Sequence, residues 1–369
     1  MAVAPQFSLV LGGGGLKGFA HIGVLRALEE HGLMPSAVLG CSIGALIGAA
    51  WAAGMPVSEM EDRALQIQRK DVFRVAHFDM AFRRMLSPGI YRSDPLDELI
   101  RSLVGQLTFE QLPRTLVVNT VDINTGQQMF WGLPGLQRAR VADAVFASCA
   151  LPGMFPPRRI QDHFCVDGAV IENLPVRAAL AVCSGPIVAV DVGGAGGRRA
   201  GIERMGFAAT YTRGLEIVMQ TITEELLREW TEPPIVLVRP RVERIPMFAF
   251  NRTPYLIVEG YRALNAALDH LPKNLERLPA GIHPQREVEL KINRRKCVSC
   301  GVCWARAPEV FARGSDGKAE VREPVQWWSP MGDWIEQACP TGAISAEQRW
   351  PPKPRRRSSS GGHARPDPS

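Results

Sequence analysis

The sequence lacks several features that would assign it to a common class of protein. No secretory signal is visible, because Met1–Gln6 is short and uncharged and runs directly into an apolar stretch. No internal repeat is visible either. The span Ala37–Val57 carries no charged residue and is long enough to cross a bilayer, but it consists mostly of Ala and Gly. It therefore fits a buried strand, turn and helix better than a membrane span.

Histidine is scarce and falls in no recognisable motif. The chain has 7 His among its 369 residues. His21 lies on an apolar-rich first helix, where we expect it to make a hydrogen bond in the core. His270 or His283 remains an alternative as the base of a catalytic triad.

Positive charge is concentrated at one end. The net charge is +6, and most of it lies in PPKPRRRSSSGGHARPDPS, residues 351–369. Such a Pro/Arg/Ser/Gly-rich stretch cannot form a core. We expect a disordered, solvated basic tail there rather than an arm for nucleic acid, and no nucleic-acid partner.

The cysteines form two groups. Four are scattered in apolar surroundings and are expected to be buried free thiols: Cys41, Cys149, Cys165 and Cys183. The other four are spaced as ligands: Cys297, Cys300, Cys303 and Cys339. Thiols that are kept available for a metal centre indicate a reducing compartment, so we expect a cytoplasmic protein.

Strands and helices alternate through the first three quarters of the chain. Apolar strands are predicted at Phe7–Leu11, Ala37–Leu39, Thr115–Val121, Gln128–Trp131, Ile187–Asp191 and Ile235–Arg239. Helices are predicted up to His31, at Ile43–Ala53, after a capping box of Ser58 and Glu61, near Phe207–Trp230 and near Tyr255–Leu271. This alternation favours an α/β fold with helices on both faces of the sheet. Pro279–Pro284 is interpreted as a linker.

A glycine-rich loop follows the first strand. GGGGLKG, Gly12–Gly18, opens a helix, where backbone N–H groups can surround an anion. A phosphate-binding P-loop is excluded because Phe19 follows the last Gly. A dinucleotide site needs an acidic residue at the end of the second strand, which ends instead in Gly40, Cys41 and Ser42. The favoured interpretation is an oxyanion hole formed by the N–H groups of Gly13, Gly14 and Gly15.

The second strand leads into GCSIG, Gly40–Gly44, a G-x-S-x-G pattern between strand and helix. Such a turn exposes the Ser42 hydroxyl, and its glycines, Gly40 and Gly44, avoid collisions across the turn. A partner base follows in FCVDGA, where Asp167 ends an apolar strand. Its carboxylate could take the Ser42 proton if burial raised its pKa, although Asp-Gly is also a common turn.

These elements together resemble the patatin-like phospholipase family over roughly residues 5–275. Further matches are ASCALP at 147–152, FPP at 155–157, the D-G-A triplet at 167–169 and ENLP at 172–175. The resemblance implies a Ser42–Asp167 dyad without a catalytic His, a three-layer α/β/α fold and esterase or phospholipase activity. Lys17 matches the basic residue of the glycine loop. It could attract a substrate phosphate, or it could be solvated at the helix start.

The ligand-spaced cysteines indicate a second module. Cys297, Cys300 and Cys303 are separated by two residues each, and Cys339 precedes a Pro far downstream, which is the ligand spacing of one cubane cluster. Zinc is the competing interpretation, although zinc sites more often pair two CxxC knuckles. The segment resembles bacterial ferredoxins over about residues 288–346. Ala307 stands where a two-cluster member has its next Cys, so the resemblance implies one 4Fe–4S cluster, or 3Fe–4S if the Cys300 corner is labile.

The expected protein is a three-layer α/β/α hydrolase domain at 1–280, a small α+β ferredoxin-like domain at 281–350 and the basic tail. Its expected function is hydrolysis of lipid-type esters, which needs no cofactor, with a redox or regulatory cluster appended. The expected partners are a lipid ester, a redox protein and, at most peripherally, the inner membrane face. The alternative is a redox-sensing or electron-transfer protein whose hydrolase-like domain binds acyl ligands with little turnover.

Overall fold

The chain divides into two units, with the boundary along the sequence between Pro284 and Gln285. The computed structural model describes residues 6–74, 89–194, 201–204, 206–272 and 274–349. The basic tail expected at 351–369 lies outside the described residues. Within the described residues, no helix is both long enough and apolar enough to cross a membrane.

A mixed sheet of nine strands forms the centre of the first unit. Its strands are β1 (Ser8–Leu11), β2 (Ala37–Gly40), β3 (Thr115–Asp122), β4 (Gln128–Trp131), β5 (Arg158–Ile160), β6 (His163–Asp167), β7 (Ile187–Val190), β8 (Ile235–Val238) and β9 (Ile282–His283). The order is β5-β6-β3-β2-β1-β7-β8-β9, with β4 also paired to β3. The strands from β3 to β9 in this order are parallel, and β4, β5 and β6 are antiparallel to their neighbours.

The register of the sheet places three loops side by side. Leu11 of β1 lies opposite Gly40 of β2 and Val190 of β7. Because these strands are parallel, the loops that leave them emerge at the same edge, which is where α/β proteins bind ligands. The glycine loop and the Ser42 turn are therefore neighbours, as the sequence predicts.

Helices flank this sheet and bury its largely apolar strands. They are α1 (Ala20–Glu30), α2 (Ile43–Ala52), α3 (Val57–Gln66), α4 (Arg69–Val72), α5 (Asp94–Val104), α6 (Val141–Cys149), α7 (Val176–Ala179), α8 (Phe207–Arg228) and α9 (Thr253–Leu268). Every residue of α2 is buried, which explains its small and apolar composition. The predicted α/β architecture is confirmed.

Two local predictions are wrong. The helix expected from the Ser58 and Glu61 capping box begins two residues earlier, at Val57, with Pro56 rather than Ser58 as its N-cap and no side-chain cap. The proposed linker Pro279–Pro284 contains β9, which pairs with β8 in the main sheet. A Pro- and Gly-containing stretch resembles a linker, but the sheet edge offered free backbone groups with which two of its residues pair.

The second unit is small and mixed. Its elements are β10 (Arg286–Ile292), α10 (Val302–Arg306), β11 (Phe311–Arg313), β12 (Ala319–Val321), β13 (Val325–Trp328), α11 (Trp334–Gln337) and β14 (Ile344–Gln348). β10 lies between β13 and β14 in an antiparallel sheet, and β11 pairs with β12. A core of its own includes Leu290, Phe311 and Trp328. This agrees with the expected small α+β domain.

Candidate active site

Ser42 lies at a strained turn between β2 and α2. Its backbone has φ 53° and ψ −125°, a conformation that residues with side chains rarely adopt. Strain of this kind costs on the order of 1–3 kcal/mol and is concentrated at functional sites. A side chain at Gly40 would collide with Ala45, and one at Gly44 would collide with the backbone of Leu11. The two glycines therefore permit the sharp turn that exposes the serine.

The hydroxyl of a second serine, Ser148, connects the Ser42 turn to the sheet. Ser148, on α6, accepts a hydrogen bond from the Ser42 N–H at 2.8 Å and donates one to the Asn119 carbonyl at 2.7 Å. Ser148 is fully buried. In the sequence, Ser148 stands out only as part of the matching segment at 147–152, which assigns it no role. Its distance from Ser42 along the chain hides the contact, and a buried Ser between small apolar residues was the available signal.

Asp167 ends β6 in a buried position beside Ser42. Its Oδ1 atom accepts a hydrogen bond from the Ala169 N–H at 2.9 Å and a longer one from the Cys41 thiol at 3.5 Å. Its Oδ2 atom is buried and has no hydrogen-bond partner within the part of the chain that the structure describes. Ser42 and Asp167 both line one pocket.

Burial raises the pKa of Asp167 from 3.8 to about 6, and hydrogen bonding to Ala169, Ser42 and Cys41 partly offsets this rise. The Ser42 hydroxyl thus lies close enough to influence the carboxylate, although the two groups do not form an ordinary hydrogen bond. Such contacts are often long in a ligand-free enzyme and shorten when substrate binds. A base with a pKa near 6 is ionised at neutral pH and still accepts a proton readily.

The glycine loop differs from the expected oxyanion hole at one position. The N–H of Gly13 donates to the Asn173 carbonyl at 3.1 Å, so Gly13 is not a free donor. Gly14 and Gly15 line the pocket, and neither N–H group is paired within the described residues. The Asn173 side chain donates back to the Gly13 carbonyl at 3.0 Å. Asn173 therefore holds the loop from both sides, a role that the sequence did not reveal.

Lys17 is neither solvated nor placed at the pocket, so neither the substrate-phosphate contact nor the solvated lysine considered for it fits this position. The residue is fully buried, and its Nζ donates to the Gly193 carbonyl at 2.8 Å. It does not line the pocket that contains Ser42. Lys17 lies in the 3₁₀ turn Gly15–Phe19, and sequence alone could not show that its side chain is buried.

No histidine within the described residues lines the pocket that contains Ser42. His21 is fully buried with Nε2 at 2.8 Å from the Gly12 carbonyl, as expected for a core hydrogen bond. Burial lowers its pKa to about 4, so it is neutral. His283 contacts the Pro279 carbonyl at 2.8 Å, and neither His270 nor His283 lines the pocket.

The pocket above Ser42 and Asp167 is strongly apolar. It encloses about 770 Å³ of empty space, including its open mouth. Aliphatic, aromatic and Met side chains make up most of its wall: Leu16, Phe19, Ile43, Leu46, Ile67, Val72, Phe73, Leu96, Leu99, Leu151, Met154, Phe155, Met219, Met247 and Phe248. Val72, Phe73, Met247 and Phe248 of this wall belong to two apolar, aromatic-bearing segments of the sequence, Asp71–Leu86 and Pro246–Tyr255. Residues 75–86 lie outside the described part of the chain.

In the second unit, the four ligand-spaced cysteines line a common cavity. No three His, Cys, Asp or Glu side chains among the described residues are arranged to hold a single metal ion. A tetrahedral zinc ion with Zn–S bonds of about 2.3 Å would bring its sulfur atoms to within roughly 4 Å of one another. Thiols that surround a cavity, rather than converge on a point, fit a larger iron–sulfur cluster better.

The surroundings of Cys339 also suit a thiolate ligand. Burial by itself raises the pKa of this thiol, but hydrogen bonding from Thr341 and from backbone groups outweighs it, and the pKa is lowered. The Ala343 N–H donates to Cys339 Sγ at 3.2 Å. N–H···S hydrogen bonds of this kind are one way in which proteins tune iron–sulfur clusters.

Comparisons with known proteins match both units. Residues 9–180 match the family model for patatin-like phospholipase, and residues 292–346 match the 4Fe-4S single cluster domain of Ferredoxin I. The chain is 29% identical over 191 residues to an uncharacterized NTE family protein of Mycobacterium tuberculosis, covering 52% of this chain and 50% of that one. It is 27% identical over 307 residues to lysophospholipase NTE1 of Coccidioides immitis, covering 78% of this chain and 19% of that one.

The chain thus spans about half the length, or less, of these curated relatives. Among solved structures it is similar to VipD from Legionella pneumophila, with a TM-score of 0.41 and 15% identity over 72% of this chain and 67% of that one. It is also similar to the ExoU–SpcU complex of Pseudomonas aeruginosa, with a TM-score of 0.40 and 20% identity over 73% of this chain and 52% of that one.

Proposed function

Starting from a chain that joins a patatin-like phospholipase domain to a single-cluster ferredoxin domain, we propose that the protein hydrolyses carboxylic esters of lipids. Phospholipids, lysophospholipids and acylglycerols are the substrate classes that fit. The observation that carries the proposal is the pair formed by a strained Ser42 and a buried Asp167 in one apolar pocket.

In the proposed reaction, the Ser42 hydroxyl attacks the acyl carbonyl and Asp167 takes its proton. Asp167, with a pKa raised to about 6, is ionised at neutral pH before the attack. The N–H groups of Gly14 and Gly15 are the proposed donors of the oxyanion hole, in which one donor typically contributes ~10²–10³ in rate. The alcohol leaves with the proton from Asp167. Water, deprotonated by the same carboxylate, then releases the fatty acid from Ser42.

The pocket wall supports an acyl chain as the bound group. Its lining is almost entirely aliphatic, aromatic and sulfur-containing, and the free energy of burying a methylene group in such surroundings is about 0.8 kcal/mol. We therefore expect kcat/KM to increase with acyl length over a series of soluble aryl esters. An equal rate for acetyl and octanoyl esters would contradict an acyl-binding pocket.

Covalent labelling tests the nucleophile directly. A fluorophosphonate probe is expected to label the wild-type protein at Ser42, and the Ser42→Ala variant is expected to lose both the label and ester hydrolysis. Asp167→Asn should lose hydrolysis while retaining the fold. Turnover by a pure Asp167→Asn sample would reject the dyad. A wild-type protein without label or turnover would favour the alternative, a redox protein that only binds acyl ligands.

We further propose that Cys297, Cys300, Cys303 and Cys339 hold one 4Fe–4S cluster. Cys300 is the exposed member of the four, so oxidation is expected to remove the iron at that corner first and leave a 3Fe–4S form. Iron and sulfide analysis after anaerobic purification should show the cluster in wild-type protein. Cys297→Ser should lose it, and Cys183→Ser, which changes a cysteine far along the chain from these four, should retain it. A zinc-loaded wild-type protein would contradict the proposal.

The cluster has no step in ester hydrolysis, so its role is proposed to be redox-dependent or regulatory. Comparing kcat on a soluble ester for the oxidised and the reduced protein tests regulation. Equal rates would leave electron exchange with a redox partner protein as the proposed role.

A further inference from the structure

Helix α8 has its polar and apolar faces in unusual positions. A helix of a globular protein normally turns its apolar side to the core and its polar side to water. In α8, Ile217 is 48% exposed, Val218 54% and Ile222 37%, whereas Glu216 is 3% exposed. Over Glu216–Ile222, exposed aliphatic side chains therefore lie beside a buried carboxylate, although Met219 of the same helix is buried.

The buried polar side chains of α8 make contacts with other residues of the same helix. Arg213 pairs with Glu216 at 3.1 Å, and the Gln220 side chain donates to Glu224 at 3.0 Å. Thr223 is buried as well and donates to the Met219 carbonyl at 2.9 Å. All of these partners lie on α8 itself, so they lower the cost of burying the polar side chains but do not orient the helix. The exposures show directly that Ile217, Val218 and Ile222 face outward.

The outward face forms what we call the apolar band: Tyr211, Ile217, Val218 and Ile222. All four side chains are exposed. The two charged residues between Tyr211 and Ile222, Arg213 and Glu216, both have largely buried side chains. The band is therefore a mainly apolar surface of the kind that marks an interaction site, with the exposed Thr221 beside it and the exposed Glu225 one turn beyond Ile222.

The same helix reaches the pocket that contains Ser42. Met219 lines the pocket, and Met219 and Leu215 belong to a cluster with Met247 and Phe248 of the pocket wall. At the start of the helix, the Tyr211 hydroxyl lies 3.4 Å from the carbonyl of Pro152, which follows the pocket residue Leu151. One edge of α8 thus borders the pocket and the apolar band lies on its outward face.

We propose that the apolar band docks on a lipid surface, with α8 lying in the plane of the interface beside the pocket opening. The proposal rests on the proposed function, because a lipid ester must leave an aggregate and enter an apolar pocket. A path over the band and past Met219 would keep an acyl chain in apolar contact throughout. An uncharged band also suits a lipid interface, since it brings no buried charge into the acyl region.

A vesicle experiment tests this docking separately from catalysis. Val218→Gln/Ile222→Gln removes the centre of the band, and Gln has a higher helix propensity than Val or Ile, so α8 is not weakened. The matched control is Leu65→Gln/Leu180→Gln, which replaces two aliphatic side chains, each 52% exposed, that do not line the pocket. Binding to phosphatidylcholine vesicles is measured by flotation in a Ser42→Ala background, where no lipid is consumed.

We expect the band variant to bind vesicles at least tenfold more weakly, about 1.4 kcal/mol, and the control to bind like the parent. In the catalytically intact background, the band variant should keep its kcat/KM on a soluble ester and lose hydrolysis of vesicle lipid. Unchanged soluble-ester turnover also shows that the variant is folded.

Equal vesicle binding by the parent and the band variant would overturn the proposal, as would failure of the parent to bind. A self-associated parent that becomes monomeric in the band variant would assign the band to a second copy of the chain instead. If the Ser42→Ala protein docks but the intact protein hydrolyses no ester, docking stands and the proposed function fails. If the intact protein hydrolyses esters but the Ser42→Ala protein does not bind vesicles, the proposed function stands and the docking proposal fails.

Discussion

The Ser148 hydroxyl holds the Ser42 backbone N–H at 2.8 Å. Because Ser148 also donates to the Asn119 carbonyl at 2.7 Å, it connects the nucleophile turn to the neighbouring strand β3. This contact also occupies the Ser42 N–H, so that group is not a donor to the substrate. Ser148 is thus a positioning residue for the proposed nucleophile, and it opposes relaxation of a strained backbone.

Replacing Ser148 with Ala should reduce kcat more than it affects KM. The variant leaves the Ser42 N–H and the buried Asn119 carbonyl without this partner, which typically costs about 1–3 kcal/mol in stability. We expect a loss of about 10–100-fold in kcat on a soluble ester, because a displaced nucleophile is misaligned for attack.

Ser36→Ala is the matched control for that substitution, since Ser36 Oγ also donates to a backbone carbonyl, that of Phe7 at 3.0 Å. It lies outside the pocket, so kcat should be retained. If Ser148→Ala keeps wild-type kcat while losing stability, its role is only structural.

The pH dependence of hydrolysis should follow the ionisation of Asp167. Its pKa is about 6, and the base must be deprotonated to accept the Ser42 proton. On an uncharged soluble ester, kcat/KM should therefore rise about tenfold per pH unit below this value and level off above it. A rate that stays constant down to pH 4 would contradict the assignment of Asp167 as the base.

Asp167→Asn should stabilise the protein at neutral pH. Since burial raises the carboxyl pKa in the folded state from 3.8 to about 6, the folded protein binds the proton more tightly than the unfolded chain does. Stability is then lost as pH rises through this window, by at most roughly 3 kcal/mol. Asn carries no charge and avoids the loss.

Urea unfolding at two pH values measures this effect. The gain of Asp167→Asn over wild type should be present at pH 7 and small at pH 4. Asp162→Asn, at an exposed site with a side chain 96% accessible, should change neither. A destabilised Asp167→Asn at pH 7 would show that the ionised carboxylate stabilises the fold instead.

Lys17→Met should destabilise the folded protein without changing its preference between lipid substrates with different head groups. The variant removes the donor to the Gly193 carbonyl, and we expect a loss of about 1–3 kcal/mol in the free energy of unfolding. The ratio of kcat/KM between a phospholipid and a neutral acylglycerol should stay constant. Lys291→Met, which breaks an exposed ion pair with Glu347, is the control. A changed ratio would place Lys17 in contact with the substrate.

Motif spacing identifies the residues proposed for the site. The glycine loop and the Ser42 turn follow neighbouring parallel strands, whose carboxyl ends meet at one edge whatever the intervening sequence. Asp167 instead ends β6, which is antiparallel to β3, so its place in the same pocket does not follow from that rule. The pairing of Gly13 with Asn173 was not predictable in the same way. It depends on the approach of segments far apart in sequence, and it removes one donor from the predicted oxyanion hole.

Burial was harder to predict than secondary structure. The periodic pattern of α8 was sufficient to predict a helix near Phe207–Trp230, but it does not show which face turns inward. Lys17 presents the same difficulty, because a basic residue at a helix start is normally solvated. For Lys17 the outcome depends on a polar partner in a distant segment, the Gly193 carbonyl, that local sequence does not identify.

The pairing of β9 with β8 restricts how the gene for this chain can be divided. His283 still belongs to the hydrolase sheet, and β10 of the next unit begins at Arg286. A hydrolase gene that stops at codon 280 would encode a sheet with an unpaired β8 edge, open to pairing with other chains. Recombination that adds or removes the iron–sulfur module without harming the hydrolase is confined to the few codons after His283.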